Sequence, residues 1–285
     1  MKTFMFCMGL MAFFTLHLFG QGNALYPTPS YDTLENQNLC KITYSDTSGN
    51  IYLQKFRNTF RLDTIIQQNT PDLKKAMALL HWSNRQWKHQ GSNAASEQDA
   101  FVILEEAGKG KMFRCVEYAT VFTTAANAVG LKARVLNLKR KNAATIASGG
   151  GHVVAEVYVQ ELNKWVMCDP QNDLVAFNDS LPLNAVEFRS VIDHHRNKLR
   201  VNYKNTWVSD KFENQVVNWF YPYLYFYDIA FDQRSDKQET NTCMENKNLI
   251  LVPQGEKAPT VFQKKYPMEG FLTTYSVGDF YHEPL

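Results

Sequence analysis

Between Thr70 and Pro170 the spacing of the apolar residues changes once, from a helical repeat to strict alternation, and this change limits the fold more than any other feature of the chain. Three helices are predicted ahead of it. Thr70 as cap, Pro71 at the first helical position and Asp72 in the first turn open a helix that places Leu73, Ala76, Met77, Leu80 and Trp87 on one face and stops at Gly91. A second begins at Ser96, with Asp99 three residues on to complete the cap, and runs through Phe101 to Ala107 before Gly108 and Gly110. A third spans about Cys115 to Val129, with Ala119, Phe122, Ala126 and Val129 in one stripe and Gly130 as terminator. Its alanines and small threonines suit close packing. The strands come afterwards: Ala133 to Leu138, His152 to Val159, and Trp165 to Asp169, the last two forming a hairpin about Gln160 to Lys164. Helices followed by strands predict an α+β domain in which the Cys115 helix lies on an antiparallel sheet.

The flanks are less regular. Leu25 to Ser30 reads as a linker, and Lys41 to Ser45 with Ile51 to Phe56 reads as a hairpin around Asp46 to Asn50. Beyond Pro170 a helix is expected from Asn184 to Asn197, a strand from Leu199 to Tyr203 and a helical or extended stretch from Ser209. The aromatic run Trp219 to Phe231 reads as core, with the lining of a substrate groove as the alternative, Gln233 to Lys247 as a polar loop, and Leu249 to Phe280 as short strands. The expected division is therefore 1–24 as leader, 25–69 as an N-terminal extension, 70–175 as the core and 176–285 as a C-terminal extension.

Lys2, the apolar run Phe4 to Phe19 and the small, polar stretch Gly20 to Ala24 have the order of a cleaved secretory signal. An uncleaved anchor is the alternative, but a span needs about 18 apolar residues. An exported product, periplasmic or extracellular and without a stable span, is expected. Apolar residues make up 45% and charged residues 20% of the chain, which fits a folded domain. The net charge of +2 comes without a basic cluster, so nucleic acid is set aside as a partner. Beyond Cys7 in the leader remain Cys40, Cys115, Cys168 and Cys243. With no C-x-x-C pair, and a chain long enough to need no staples, neither a disulfide framework nor a zinc site is expected. His194 and His195 lack partners at ligand spacing. No cofactor or metal is expected, and nothing here fixes an oligomeric state.

A cysteine attacks carbonyl carbon as thiolate, while a free thiol titrates near about 8.5 and needs activation. A helix N-terminus supplies partial positive charge, an imidazole accepts the proton, and a carboxylate fixes the imidazole. Cys115 at a helix start, His152 heading a strand and Asp169 at the end of the paired strand suit these three tasks. Arg114 and Lys111 are charges that could assist the thiol. The Cys115 amide is one oxyanion donor; Trp82 is weighed as the second, against plain packing. Gly149, Gly150 and Gly151 precede a strand, which removes the dipole a phosphate site uses, and read as a mobile loop gating His152.

The order Gly110, Cys115, Ala119, Gly130, Ala133 and Arg134, then His152, Glu156, Trp165, Asp169 and Pro170, resembles the transglutaminase-like superfamily over about Leu73 to Pro170. The imidazole follows the thiol by 37 residues, whereas papain-type enzymes separate them by about 130 to 150. The resemblance implies a papain-like or transglutaminase-like core with Cys115, His152 and Asp169 as a catalytic triad. It implies acyl transfer through a Cys115 thioester, with hydrolysis of a peptide or amide bond as the expected outcome and a peptide or protein, cell-wall peptide included, as substrate. Crosslinking to a lysine amine and a non-catalytic binding module are the alternatives. The chain departs from the family pattern in having Phe113 and Arg114 where glycine is frequent and Val154 where an aromatic is frequent. The acidic calcium loops of animal transglutaminases are not apparent.

Overall fold

A computed structural model describes residues 28–36, 40–46, 48–66, 70–235 and 242–284; the expected leader lies outside them. The helices in this part of the chain are α1 (Ile51–Thr59), α2 (Leu62–Ile65), α3 (Asp72–Asn84), α4 (Ala100–Gly108) and α5 (Cys115–Ala128). They are followed by β1 (Lys132–Lys139), β2 (Gly151–Val159), β3 (Lys164–Cys168), β4 (Leu174–Asn178), β5 (Leu181–Pro182) and α6 (Ala185–His194). Next come β6 (Leu199–Tyr203), β7 (Thr206–Trp207), α7 (Asp210–Phe220), β8 (Phe226–Ala230) and β9 (Asn248–Leu251). The chain closes with β10 (Val261–Phe262), β11 (Tyr266–Pro267), β12 (Phe271–Thr274) and α8 (Val277–Phe280).

The α+β architecture is as expected, with a larger sheet. Six strands run in the order β12-β9-β8-β1-β2-β3, so the strands after residue 176 extend the sheet that carries His152. All neighbours are antiparallel except β12 and β9, which pair in parallel where an antiparallel sheet was expected. A second sheet, β5-β4-β6-β7, and the hairpin β10-β11 complete the strands.

The period-two rule explains why the large sheet is buried on both faces. Ala133, Ala155, Val157, Val159 and Val166 face a core shared with α1 to α5. Leu136, Leu138, Val154, Tyr158, Trp165 and Met167 face a second core with α6, α7, β8 and β9. Every residue of α5 from Glu117 to Ala128 is buried apart from Thr120, and its alanines let the helix approach the sheet closely. The helix ends where Gly130 takes φ 94°, in the left-handed region that glycine enters without steric cost, while its N–H donates to the Asn127 carbonyl.

Three local expectations are corrected. Ile51 to Phe56 is helical and does not return as a hairpin strand: Asn50 Oδ1 accepts from Leu53 N at 2.9 Å, and Leu53 and Phe56, three apart, are buried together. The helix from Asp72 ends at Asn84, three residues short of Trp87, and does not run on to Gly91; Trp87 leaves the helix to pack on Tyr118 at 4.4 Å and Phe113 at 5.5 Å. Asp99 caps α4, accepting from Phe101 N and Val102 N, so that helix starts after Asp99 and not at Ser96. Cys40 and Cys243 form a disulfide across 203 residues, a pairing the sequence left open. Among the described residues no helix is long and apolar enough to cross a membrane.

Candidate active site

Cys115 is the first residue of α5, a position whose N–H has no intrahelical acceptor and faces outward with the positive end of the helix dipole. Its thiol is free and half-buried. The two cations expected to assist it are otherwise engaged. Arg114 pairs with the buried Glu117 at 2.6 Å, and Lys111 pairs with Glu106 at 2.8 Å. Arg114 still lies within electrostatic reach of the sulfur, alongside the helix start and the imidazole.

His152 opens β2 and is buried. Its Nε2 lies 3.0 Å from Asp169 Oδ2, which leaves Nδ1 for the thiol. Burial alone would lower the imidazole pKa. The Asp169 charge and hydrogen bond, together with the Cys115 thiol, more than offset it and raise His152 to about 9. The fold thus brings Cys115, His152 and Asp169 together.

The register explains how Asp169 reaches His152. Pairing of β2 with β3 ends at Ala155 opposite Cys168, so the next residue of β3 stands short of His152. At Asp169 the chain leaves β3 and turns, exchanging backbone hydrogen bonds with Leu174. Inside the turn Asp169 Oδ1 accepts from Gln171 N at 3.0 Å and Asn172 N at 3.3 Å, and Oδ2 accepts from Asn172 Nδ2 at 2.6 Å. This self-contained turn aims the carboxylate. Helix α3 braces it from outside: Asn84 Nδ2 donates to the Pro170 and Gln171 carbonyls, and His81 Nδ1 lies 2.6 Å from Asp173 Oδ2.

Trp82, considered as an oxyanion donor, has its ring against Phe60 at 5.9 Å and Phe56 at 6.5 Å, in the first core. The segment just beyond α3 brings a different side chain. His89 forms a bridge with Phe113, two residues before the thiol, and Gln90 N donates to the Phe113 carbonyl at 2.8 Å. Desolvation and the charge of His152 hold His89 below its usual range, partly countered by Asp169. Its position follows from pairing between segments and has no signature in the local sequence.

The C-terminal region supplies the remaining walls. Trp219, Phe220 and Tyr223 surround the His152 ring at 4.8, 5.7 and 6.1 Å between centroids. Phe220 is core, as the aromatic run was expected to be, but Trp219 is 41% exposed. The glycine loop is fastened, in contrast to the mobile gate expected. Gln263 N donates to the Ala143 carbonyl at 2.7 Å, and the Gln263 amide oxygen, turned to the loop, accepts from Gly149 N and Gly150 N. At Gly151 a Cβ would stand 2.8 Å from the Leu138 carbonyl oxygen, so only glycine fits beside β1. Tyr266, on the other strand of the same hairpin, lies within electrostatic reach of Arg114. Among the described residues no three His, Cys, Asp or Glu side chains gather as metal ligands.

The family model of the transglutaminase-like superfamily matches residues 61–170. Among solved structures, a candidate cysteine protease from Cytophaga hutchinsonii shares 18% identity over 50% of this chain and 46% of its own, with a TM-score of 0.33. A candidate protease from Parabacteroides distasonis shares 8% over 54% and 27%, with a TM-score of 0.30. A TGase shares 21% over 42% and 30%, with a TM-score of 0.29. The chain spans less than half the length of each of these. No curated protein matches it.

Proposed function

We propose, from the transglutaminase-like core that residues 61–170 carry, that this chain is an exported thiol hydrolase cleaving a peptide or amide bond through a thioester on Cys115. The observation that carries this is the buried His152–Asp169 hydrogen bond, with an imidazole raised to about 9, next to a thiol at a helix start. An imidazole in that range holds a proton at neutral pH and stabilises a thiolate beside it. The thiolate attacks the carbonyl carbon, and the Cys115 amide donates to the oxyanion. The C–N bond then breaks, and the amine leaves with the proton from His152. Water attacks the thioester, His152 takes its proton, and breaking of the C–S bond releases the acid and restores the thiolate beside the imidazolium.

That Cys115 is half-buried and not fully enclosed favours hydrolysis over crosslinking. Export is supported by the leader pattern and by the Cys40–Cys243 disulfide, a bond at home in oxidising compartments. The test is incubation of the parent and Cys115→Ala with a peptide library that includes cell-wall peptides, with and without a labelled amine. New carboxyl ends from the parent alone are expected. Amine incorporation in their place would make the chain a crosslinker, and no product of either kind would favour a binding module.

A further inference from the structure

Three consecutive cations lie where β1 runs into the loop beside His152, and they are treated differently. Lys139 pairs with Asp228 and Lys141 pairs with Glu256. Among the described residues Arg140, between them, has no carboxylate partner, and its Nε is buried without an acceptor. The Arg140 backbone is fixed, its N–H donating to the Gly150 carbonyl at 2.9 Å. Its guanidinium stacks on the Tyr223 ring at 4.6 Å. Tyr223 in turn stands 5.4 Å from Trp219 and 6.1 Å from His152.

This row starts at the imidazole and ends at an unpaired guanidinium. Trp219 lies off the buried stripe of α7, which is Glu213, Val216, Val217 and Phe220. It leans on His152 with two-fifths of its surface open. A buried Nε–H without an acceptor is unfavourable unless a partner is supplied. The imidazole delivers its proton to the departing nitrogen, so the departing half of a substrate lies along this row. Extended chain advances about 3.3–3.6 Å per residue, which puts Arg140 within about three residues of that nitrogen.

We propose that Trp219, Tyr223 and Arg140 form the leaving-group subsite, and that it takes an amine product with an apolar side chain and a carboxylate within about three residues of the scissile nitrogen. The subsite deepens the hydrolase function proposed above and rests on it for the direction of the substrate. The carboxylate has two sources, the C-terminus of a short leaving peptide or an acidic side chain.

The test uses the full chain and three matched peptides: one with a free C-terminus at that distance, one amidated there, and one amidated with glutamate at that position. Binding to Cys115→Ala is measured alongside turnover by the parent. A preference of about tenfold or more for a carboxylate peptide over the neutral amide is expected. Arg140→Gln should bring the peptides to within about twofold of one another, and Arg140→Lys should keep part of the preference. Alkylation of Cys115 at the parental rate in both variants shows that the centre is intact. Preference for the free C-terminus alone identifies trimming from a peptide end, and equal preference for the glutamate peptide identifies an acidic side chain. Equal binding of all three peptides to Cys115→Ala, or a preference unchanged by Arg140→Gln, overturns the subsite. Turnover of the amidated peptide in that case leaves the hydrolase standing. A preference in binding without turnover by the parent sustains the subsite and refutes the hydrolase.

Discussion

His152 is buried, and burial by itself would strip its proton. Asp169 reverses that, since the carboxylate accepts from Nε2 and its charge favours the imidazolium. An imidazole raised above its unfolded value of about 6.5 contributes its pairing energy fully below that pH. The contribution is lost as pH rises through about 9. Peptide turnover should therefore fall on an alkaline limb near pH 9, as the imidazolium that protonates the leaving amine disappears. Asp169→Asn removes the main raising cause, so the limb should move down in pH and kcat/KM should drop by about a hundredfold or more. A pH–rate profile checks both, and a limb left in place would remove Asp169 from the mechanism. The three residue types and their order were legible because each stands at an element boundary with its own signature: helix start, strand start, Asp-Pro turn. His89 was not, and Trp219 only as one of an aromatic run that could line a groove, because both reach the site through contacts between segments distant in sequence. The carboxylates that Arg114 and Lys111 pair with, buried Glu117 and nearby Glu106, were not legible for a related reason.

Helix α3 acts on the chemistry without touching it. Asn84 donates to two carbonyls of the turn that aims Asp169, and among the described residues no other side chain donates to them. Asn84→Ala should leave both short of a partner, lowering stability by about 1–2 kcal/mol. It should also lower kcat more than it raises KM, because the imidazole loses its orientation before the binding cleft changes. Steady-state kinetics and urea unfolding measure the two effects; a variant that loses stability with kcat intact would make the turn merely structural. Element type was legible where one period ran long, as in α5 and β2, and failed where the segment was short. In Ile51 to Phe56 both periods fit, and the cap on Leu53 decides for helix. At Trp87 packing on Tyr118 outweighs helix continuation.

On the scale of the whole molecule, the C-terminal residues are part of the core that carries the site. Arg134 is fully buried, bonded to Glu156 at 2.7 Å and to the Phe280 carbonyl at 2.8 Å, and it lies over the Trp165 ring at 4.2 Å. Tyr281 donates to Glu156 at 3.0 Å. Arg134 and Glu156 were legible as motif residues, but their closure by residues 280 and 281 was not, because the contacts span 146 and 125 residues of the chain. Glu156→Gln leaves a buried guanidinium uncompensated and should cost about 3–5 kcal/mol; a loss under about 1 kcal/mol in chemical unfolding would show the pair to be dispensable. All of this scaffolding serves to hold one sulfur beside one imidazole. The most direct measurement is the rate at which iodoacetamide modifies Cys115 at neutral pH, in the parent and in His152→Ala. Modification of Cys115 well ahead of buried Cys168, slowed about tenfold or more by His152→Ala, is the predicted result. A Cys115 that reacts sluggishly in the parent, or at the same rate without His152, would contradict it.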